Sequence, residues 1–160
     1  MADAQDDEPQ GTSHLSQTLG RLAPLAALSL GLLLLYRHLA AGWVLAGGDL
    51  HTYFFPYWTA AARAFQAGEL PLWNPYLFAG APLLANSQAA IFYPLNWPFW
   101  LLSGSDLADL AVSLHWSVLL HLGLAAFNLF LLARRLGVRP WGAALGGLLY
   151  AGGGFLGVLV

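Results

Sequence analysis

Residues 107–133 read LADLAVSLHWSVLLHLGLAAFNLFLLA, and RRLGVRP follows at 134–140. From Leu110 to Ala133 there is no Asp, Glu, Lys or Arg. At 1.5 Å per residue such a run crosses a ~30 Å hydrocarbon layer, so Leu107–Ala133 is expected to be a transmembrane helix. Arg134, Arg135 and Arg139 crowd the short connection behind it. The positive-inside rule makes residues 134–140 a cytoplasmic turn.

The rest of the topology follows from that turn. Trp141–Val160 is another apolar run, and Leu22–Ala46 would extend roughly 37 Å as a helix, enough to span with some tilt. Arg21 ahead of Leu22 puts the amino terminus inside, so residues 47–106 lie outside. Their charges, Asp49, Arg63, Glu69 and Asp106, show no cationic excess, as an external loop requires. Arg37, toward the far end of the first span, is expected to snorkel to the headgroup phosphates, a functional contact to a lipid phosphate being the alternative. Residues 1–20 carry Asp3, Asp6, Asp7 and Glu8 without apolar periodicity and read as a disordered cytoplasmic tail. That acidity also argues against a signal peptide. The expected fold is therefore an all-α integral membrane protein with three transmembrane helices (22–46, 107–133 and 141–160) and an external loop carrying interfacial helices.

Composition agrees with this class. Of the 160 residues, 58% are hydrophobic and 9% charged, against about 25% charged in an ordinary soluble domain. The net charge of −2 without any Lys offers no basic patch for nucleic acid. The absence of Cys excludes disulfides, thiolate metal sites and Cys nucleophiles. In the third span, Gly142/Gly146 and Gly153/Gly157 have the spacing that lets helix backbones approach closely. Such a segment expects neighbours, and it reaches Val160 without an anchoring polar residue. The chain is thus expected to be the amino-terminal part of a longer polytopic protein, a natural three-helix protein being the alternative.

About sixty residues between two spans are too many for a plain connector. Pro56 suits a helix start and Gly68 a helix end. Between them Trp58, Ala61 and Phe65 share one face and Thr59, Arg63 and Gln66 another, which predicts an amphipathic helix lying in the membrane interface. Pro71, Trp73, Pro75 and Tyr76 exclude regular helix next, and Gly80 with Pro82 marks a turn. Ile91–Leu102 reads as a second interfacial segment, broken by Pro94 and Pro98.

Asp49 follows Gly47 and Gly48 where the first span meets water. A carboxylate there can accept a proton from a hydroxyl brought within about 3 Å, and the glycines permit close approach. The competing reading is a solvated residue capping the next turn. Glu69 is either a second carboxylate or metal ligand, or a surface charge after a helix. Arg63 could meet a phosphate, and His51 lies two residues from Asp49. Asn74, Asn86 and Gln88 could hydrogen-bond a sugar while Trp73, Tyr76 and Tyr93 stack on it; alternatively they satisfy the backbone of a Pro-broken loop. Ser117, His121 and Asn128 share one face of the second span and are expected to form interhelical hydrogen bonds. No residue spacing calls for a cofactor; a divalent cation is compatible with Glu69 but not indicated.

The strings Gly48-Asp49, Phe55-Pro56-Tyr57-Trp58, Gly68-Glu69-Leu70-Pro71-Leu72-Trp73-Asn74-Pro75-Tyr76, Gly80-Ala81-Pro82, Ala85-Asn86-Ser87-Gln88 and Phe92-Tyr93-Pro94-Leu95 resemble the start of YfhO-type bacterial membrane proteins. These are similar to the GT-C superfamily of polytopic glycosyltransferases. The resemblance covers about residues 20–160, with Leu70–Pro75 its most specific part, and departs in length, since such proteins usually have many more spans. It implies an enzyme of the bacterial plasma membrane that moves a sugar from a polyprenyl-phosphate donor to an extracytoplasmic acceptor, a cell-envelope glycan or protein. Asp49 then matches the catalytic base of the first external loop. His51, Arg63, Glu69, Trp73, Asn74, Asn86, Gln88 and Tyr93 are the candidates for substrate contact. A transporter or flippase, with the loop as a gate, and an inactive membrane scaffold are the competing functions. The polar cluster lying outside the bilayer favours the enzyme.

Overall fold

The computed structural model describes residues 11–41 and 49–153. The expectations for residues 1–10, for Gly47 and Gly48, and for residues 154–160 lie outside the described residues. The chain is mostly helical: α1 (Gly11–Leu35), α2 (Arg37–Ala40), a π-helical turn (Leu50–Phe54) running into α3 (Phe55–Gln66), α4 (Trp97–Leu102), α5 (Leu107–Arg135) and α6 (Pro140–Ala151). Between α3 and α4 lies a two-residue antiparallel ladder, β1 (Trp73–Asn74) on β2 (Ala81–Pro82), with Trp73 opposite Pro82 and Asn74 opposite Ala81. Short 3₁₀ turns follow at Ser87–Ala89 and Pro94–Asn96. Two cores result. One joins α1, α5 and α6 through Leu28, Ala126, Phe130, Ala143 and Ala144. The other joins everything between Leu50 and Trp100 to the amino-terminal part of α5, through Trp58, Leu83, Ile91, Trp100, Leu110 and Leu114. We call this second body the cap.

Among the described residues, α5 is the one helix long and apolar enough to cross a membrane, with a mean hydropathy of 1.8 and 22% of its apolar window buried. The other two predicted spans run into residues outside the described ones. While residues 42–46 of the first lie outside the described residues, the apolar part of α1 runs Leu22–Leu35 and meets Tyr36. There the Tyr36 hydroxyl donates to the Ala151 carbonyl at the end of α6, and the Arg37 guanidinium donates to the Leu34 carbonyl at 3.3 Å. The cation thus answers a helix-end carbonyl, as basic residues do near carboxyl termini. The helix α6 ends at Ala151, where Gly152 and Gly153 follow, residues that lose most by helical ordering. Conversely, Gly11–Gly20, read above as tail, is helical. Once the apolar run nucleates a helix, extending it costs little.

The close approach of α6 to α5 runs along Ala143, Gly147 and Ala151, all buried. A Cβ on Gly147 would sit 2.6 Å from the Ala126 carbonyl oxygen, whereas one on Gly146 would meet nothing within 4 Å. The small-residue seam therefore lies one position away from the predicted Gly142/Gly146 pair. Gly31 of α1 does the same against Leu148, whose Cδ2 would lie 2.9 Å from an added Cβ.

In the cap, α3 departs from the amphipathic interfacial helix expected of it. Tyr57 through Ala62 are buried in succession, Thr59 included, so its first half is a central strut enclosed on all sides. Pro56 explains the π turn before it. Pro lacks the N–H that would bond four residues back, and the chain instead closes a wider ring from the Phe55 N–H to the Leu50 carbonyl. Pro94 and Pro98 each open a helical turn rather than breaking one, in the position where a missing N–H costs nothing. Gly68 ends α3 with φ +73°, as expected.

Gly80 adopts φ +111° directly beneath the Trp73 ring, whose Cζ2 would lie 2.7 Å from an added Cβ. Gly80→Ala is therefore expected to lower cap stability by about 1–3 kcal/mol through strain and overpacking. Denaturant unfolding followed by tryptophan fluorescence measures this; an unchanged midpoint would show that the Trp73 ring gives way freely.

Candidate functional site

A cavity of about 310 Å³ lies where the cap meets α5. Leu50 and Phe54 of the π turn, Tyr57 and Trp58 of α3, and Gln88, Tyr93 and Asn96 of the following loop face Leu114, Ser117, Val118 and His121 of α5 across it. Three hydrogen bonds tie the two walls together. The Trp58 Nε1–H donates to Ser113 Oγ at 2.8 Å, Ser117 Oγ donates to Asn96 Oδ1 at 3.0 Å, and the Tyr93 hydroxyl lies 3.0 Å from His121 Nε2. Ser117 and His121 thus bond to the loop, and not across to another long helix as expected from the sequence. Asn128, the third of that set, is exposed lower on α5.

The His121 tautomer follows from its neighbours. Its Nδ1 stands 2.6 Å from the Ser117 carbonyl, which can only accept. Nδ1 is therefore the donor to that carbonyl, and in the tautomer protonated there Nε2 accepts from the Tyr93 hydroxyl. The Tyr93 oxygen keeps lone pairs with which to accept from a ligand hydroxyl.

Asp49 is exposed and immediately precedes Leu50, a cavity residue. One turn on, Tyr53 collects two predicted residues. Asn86 Nδ2 donates to the Tyr53 oxygen at 3.2 Å, and the Tyr53 hydroxyl donates to Gln88 Oε1 at 2.7 Å. Asn86 Oδ1 also accepts the Gln88 N–H at 2.9 Å, fixing the 3₁₀ turn. The Tyr53 and Tyr57 rings meet edge to face at 4.5 Å. The Tyr57 hydroxyl, then the Asn86 amide, hold the Tyr53 phenol below its ordinary value, with desolvation and the Asp49 charge opposing. The same contact with Tyr53, followed by desolvation, pushes Tyr57 up. Tyr53 is thus the first of the two to ionise in alkali.

The remaining predicted residues gather elsewhere. Arg63 donates to the Tyr76 hydroxyl at 2.6 Å and lies over that ring, 5.5 Å from its centroid. Asn74 is fully buried at the base of the hairpin, with its Oδ1 accepting the Tyr76 N–H at 2.9 Å, while Trp73 and Glu69 are exposed. His51 is exposed and stacks on Phe55, 6.3 Å between centroids. The structure therefore places Gln88 and Tyr93 in the cavity, sets Asp49 and Asn86 beside it through the π turn and Tyr53, and separates Arg63, Glu69, Trp73, Asn74 and His51 from its lining. Sequence reading missed Tyr53, Tyr57 and Asn96. The first two are four apart on one helix, a spacing that could have flagged them; Asn96 gave no such signal. Among the described residues no group of three His, Asp or Glu side chains could hold a metal ion.

Compared with protein-family models, with curated proteins and with solved structures, the chain matches none.

Proposed function

We propose that the chain is part of a membrane glycosyltransferase that draws on a polyprenyl-phosphate-linked sugar, the sugar entering the cavity beneath the cap. Taking Arg134 as the inner boundary, a ~30 Å hydrocarbon layer reaches about twenty residues back along α5, to Leu114. Ser117 and His121 then stand in its outermost turns, and the cap sits at the level of the headgroups. The carrying observation is the lining of the cavity at that depth. Side chains that hydrogen-bond hydroxyls (Gln88, Tyr93, Asn96, Ser117) alternate with ring faces (Phe54, Tyr57, Trp58). A volume of about 310 Å³ falls within the 300–1,000 Å³ common for small-ligand sites. In a three-span arrangement α1 and α6 complete the anchor, their exposed leucines facing lipid; α1 enters from the cytoplasmic side.

In this reading the acceptor oxygen forms its bond to the anomeric carbon as the carbon–oxygen bond to the phosphate breaks. The phosphate leaves with the electron pair, through an oxocarbenium-like state, and the Asp49 carboxylate takes the acceptor's proton. Its place one residue from the cavity wall supports that role.

The test reconstitutes the whole protein of which this chain is part in vesicles with polyprenyl-phosphate mannose or polyprenyl-phosphate glucose, and follows tryptophan quenching on binding and release of polyprenyl phosphate; the 160 residues alone are expected to be inactive. Asp49→Asn is expected to lower turnover on the order of 10²–10⁴-fold, the usual share of a general base, with binding retained. Undiminished turnover would remove Asp49 from the chemistry. Failure of both lipids to bind would end the glycosyltransferase reading.

A further inference from the structure

On another face of α5 from the sugar cavity, two hollows run into each other. The upper, about 420 Å³, is lined by Phe99, Ser103, Gly104, Asp109, Ser113 and Trp116 among others. The lower, about 500 Å³, is lined by Phe99, Trp116, Leu119, Leu120, Gly123 and Leu124. Phe99 and Trp116 form walls of both, so the two make a single groove between α4 and α5. Its polarity is ordered. Asp109 is the one acidic or basic side chain lining it and stands at the top, while the lower half is apolar. Two glycines shape its ends. A Cβ on Gly104 would overlap the Asp109 carboxylate, and one on Gly123 would meet nothing within 4 Å.

Length and depth identify the occupant's class. From Asp109 to Leu124 the helix rises about 22 Å. That is one leaflet of a bilayer 40–45 Å thick with its headgroups. With Leu114 at the hydrocarbon boundary, Asp109 stands roughly 7 Å above it, where headgroups lie, and Gly123 near mid-membrane. An apolar helix of later sequence would not need a carboxylate at the top of its seat, and an anionic lipid would be repelled by it.

We propose that this groove seats one outer-leaflet phospholipid whose headgroup carries a primary ammonium ion, as in phosphatidylethanolamine. Asp109 receives the ammonium, the Phe99 and Trp116 rings flank the glycerol region, and an acyl chain fills the channel down to Gly123. The inference rests on the membrane placement of α5 given above.

The complete chain is reconstituted in bilayers of equal phosphatidylethanolamine and phosphatidylglycerol, extracted into mild detergent, and weighed intact by native mass spectrometry. The wild type should retain phosphatidylethanolamine over phosphatidylglycerol by about fivefold, the upper scale of one exposed ion pair. Asp109→Asn should bring the two lipids to parity. Gly123→Leu, which extends into open space and so leaves folding intact, should lose the retained lipid whichever head it bears. Equal retention by the wild type, a preference that survives Asp109→Asn, lipid that persists in Gly123→Leu, or a lipid-free dimer would each overturn the proposal. Failure of the chain to enter bilayers at all would instead remove the membrane placement itself.

Discussion

Gly147→Ala should loosen the packing of α6 on α5, while Gly146→Ala, one residue away, should tighten the fold. At position 147 the new methyl would press on the Ala126 carbonyl from 2.6 Å. A backbone oxygen cannot swing aside as a side-chain tip can, so the helices must part. Overpacking of this kind costs about 1–3 kcal/mol, and Gly147→Leu should undo the contact entirely. At position 146 the methyl enters open space. It removes only the conformational freedom of glycine in the unfolded chain, a gain of about 0.5–1 kcal/mol. Thermal unfolding of the two single variants in the same detergent measures the contrast. Equal midpoints would mean that the bundle does not depend on this seam.

The second large effect lies in the cap. Trp100 is fully buried, edge-on to Trp58 at 5.3 Å and tilted against Phe65 at 5.2 Å. Trp100→Ala should cost about 3–5 kcal/mol, the range for emptying so large a site, and lower the midpoint by roughly 10 °C. Trp100→Phe should cost far less than its lost volume suggests. Its Nε1–H is buried without a hydrogen-bond partner, a burden of about 1–3 kcal/mol that phenylalanine removes. Trp58→Phe behaves oppositely, because it breaks the 2.8 Å bond to Ser113, worth about 1 kcal/mol. Near-ultraviolet circular dichroism across a thermal ramp would rank the three. A Trp100→Phe variant weaker than Trp58→Phe would show that the orphan N–H has a partner in solution.

These sites also show what the sequence could and could not disclose. The extent of α5 was readable because an uncharged run closed by arginines has few other outcomes, and the start and end of α3 because Pro56 and Gly68 are unambiguous punctuation. The enclosure of α3 was not readable: Ala60, Ala61 and Ala62 carry too little side chain to declare a face, and Thr59 suits water or a core equally. The seam on α6 was misplaced by one residue because glycine and alanine recur there at several four-residue spacings, and only the position of the Ala126 carbonyl selects among them. The site divides the same way. Asp49 and the loop residues Gln88 and Tyr93 stood out by type and position. Their partners did not, since Trp58 and Ser113, or Tyr93 and His121, are 55 and 28 residues apart and meet only once the cap has closed on α5. The hairpin drew attention for its prolines and aromatic rings, and much of that chemistry is spent on itself, in the Arg63–Tyr76 contact and the buried Asn74.

The wide turn at Leu50–Phe54 holds one more residue than an ordinary helical turn would. Wound as an ordinary α-helix, the same five residues would carry everything upstream about a quarter turn further around the axis. Asp49 would then face a different quarter of the protein with its chemistry unaltered. The orientation of the Asp49 carboxylate at the cavity's edge is thus set by the width of a single turn, and a substitution that tightened that turn would re-aim it without touching Asp49 itself.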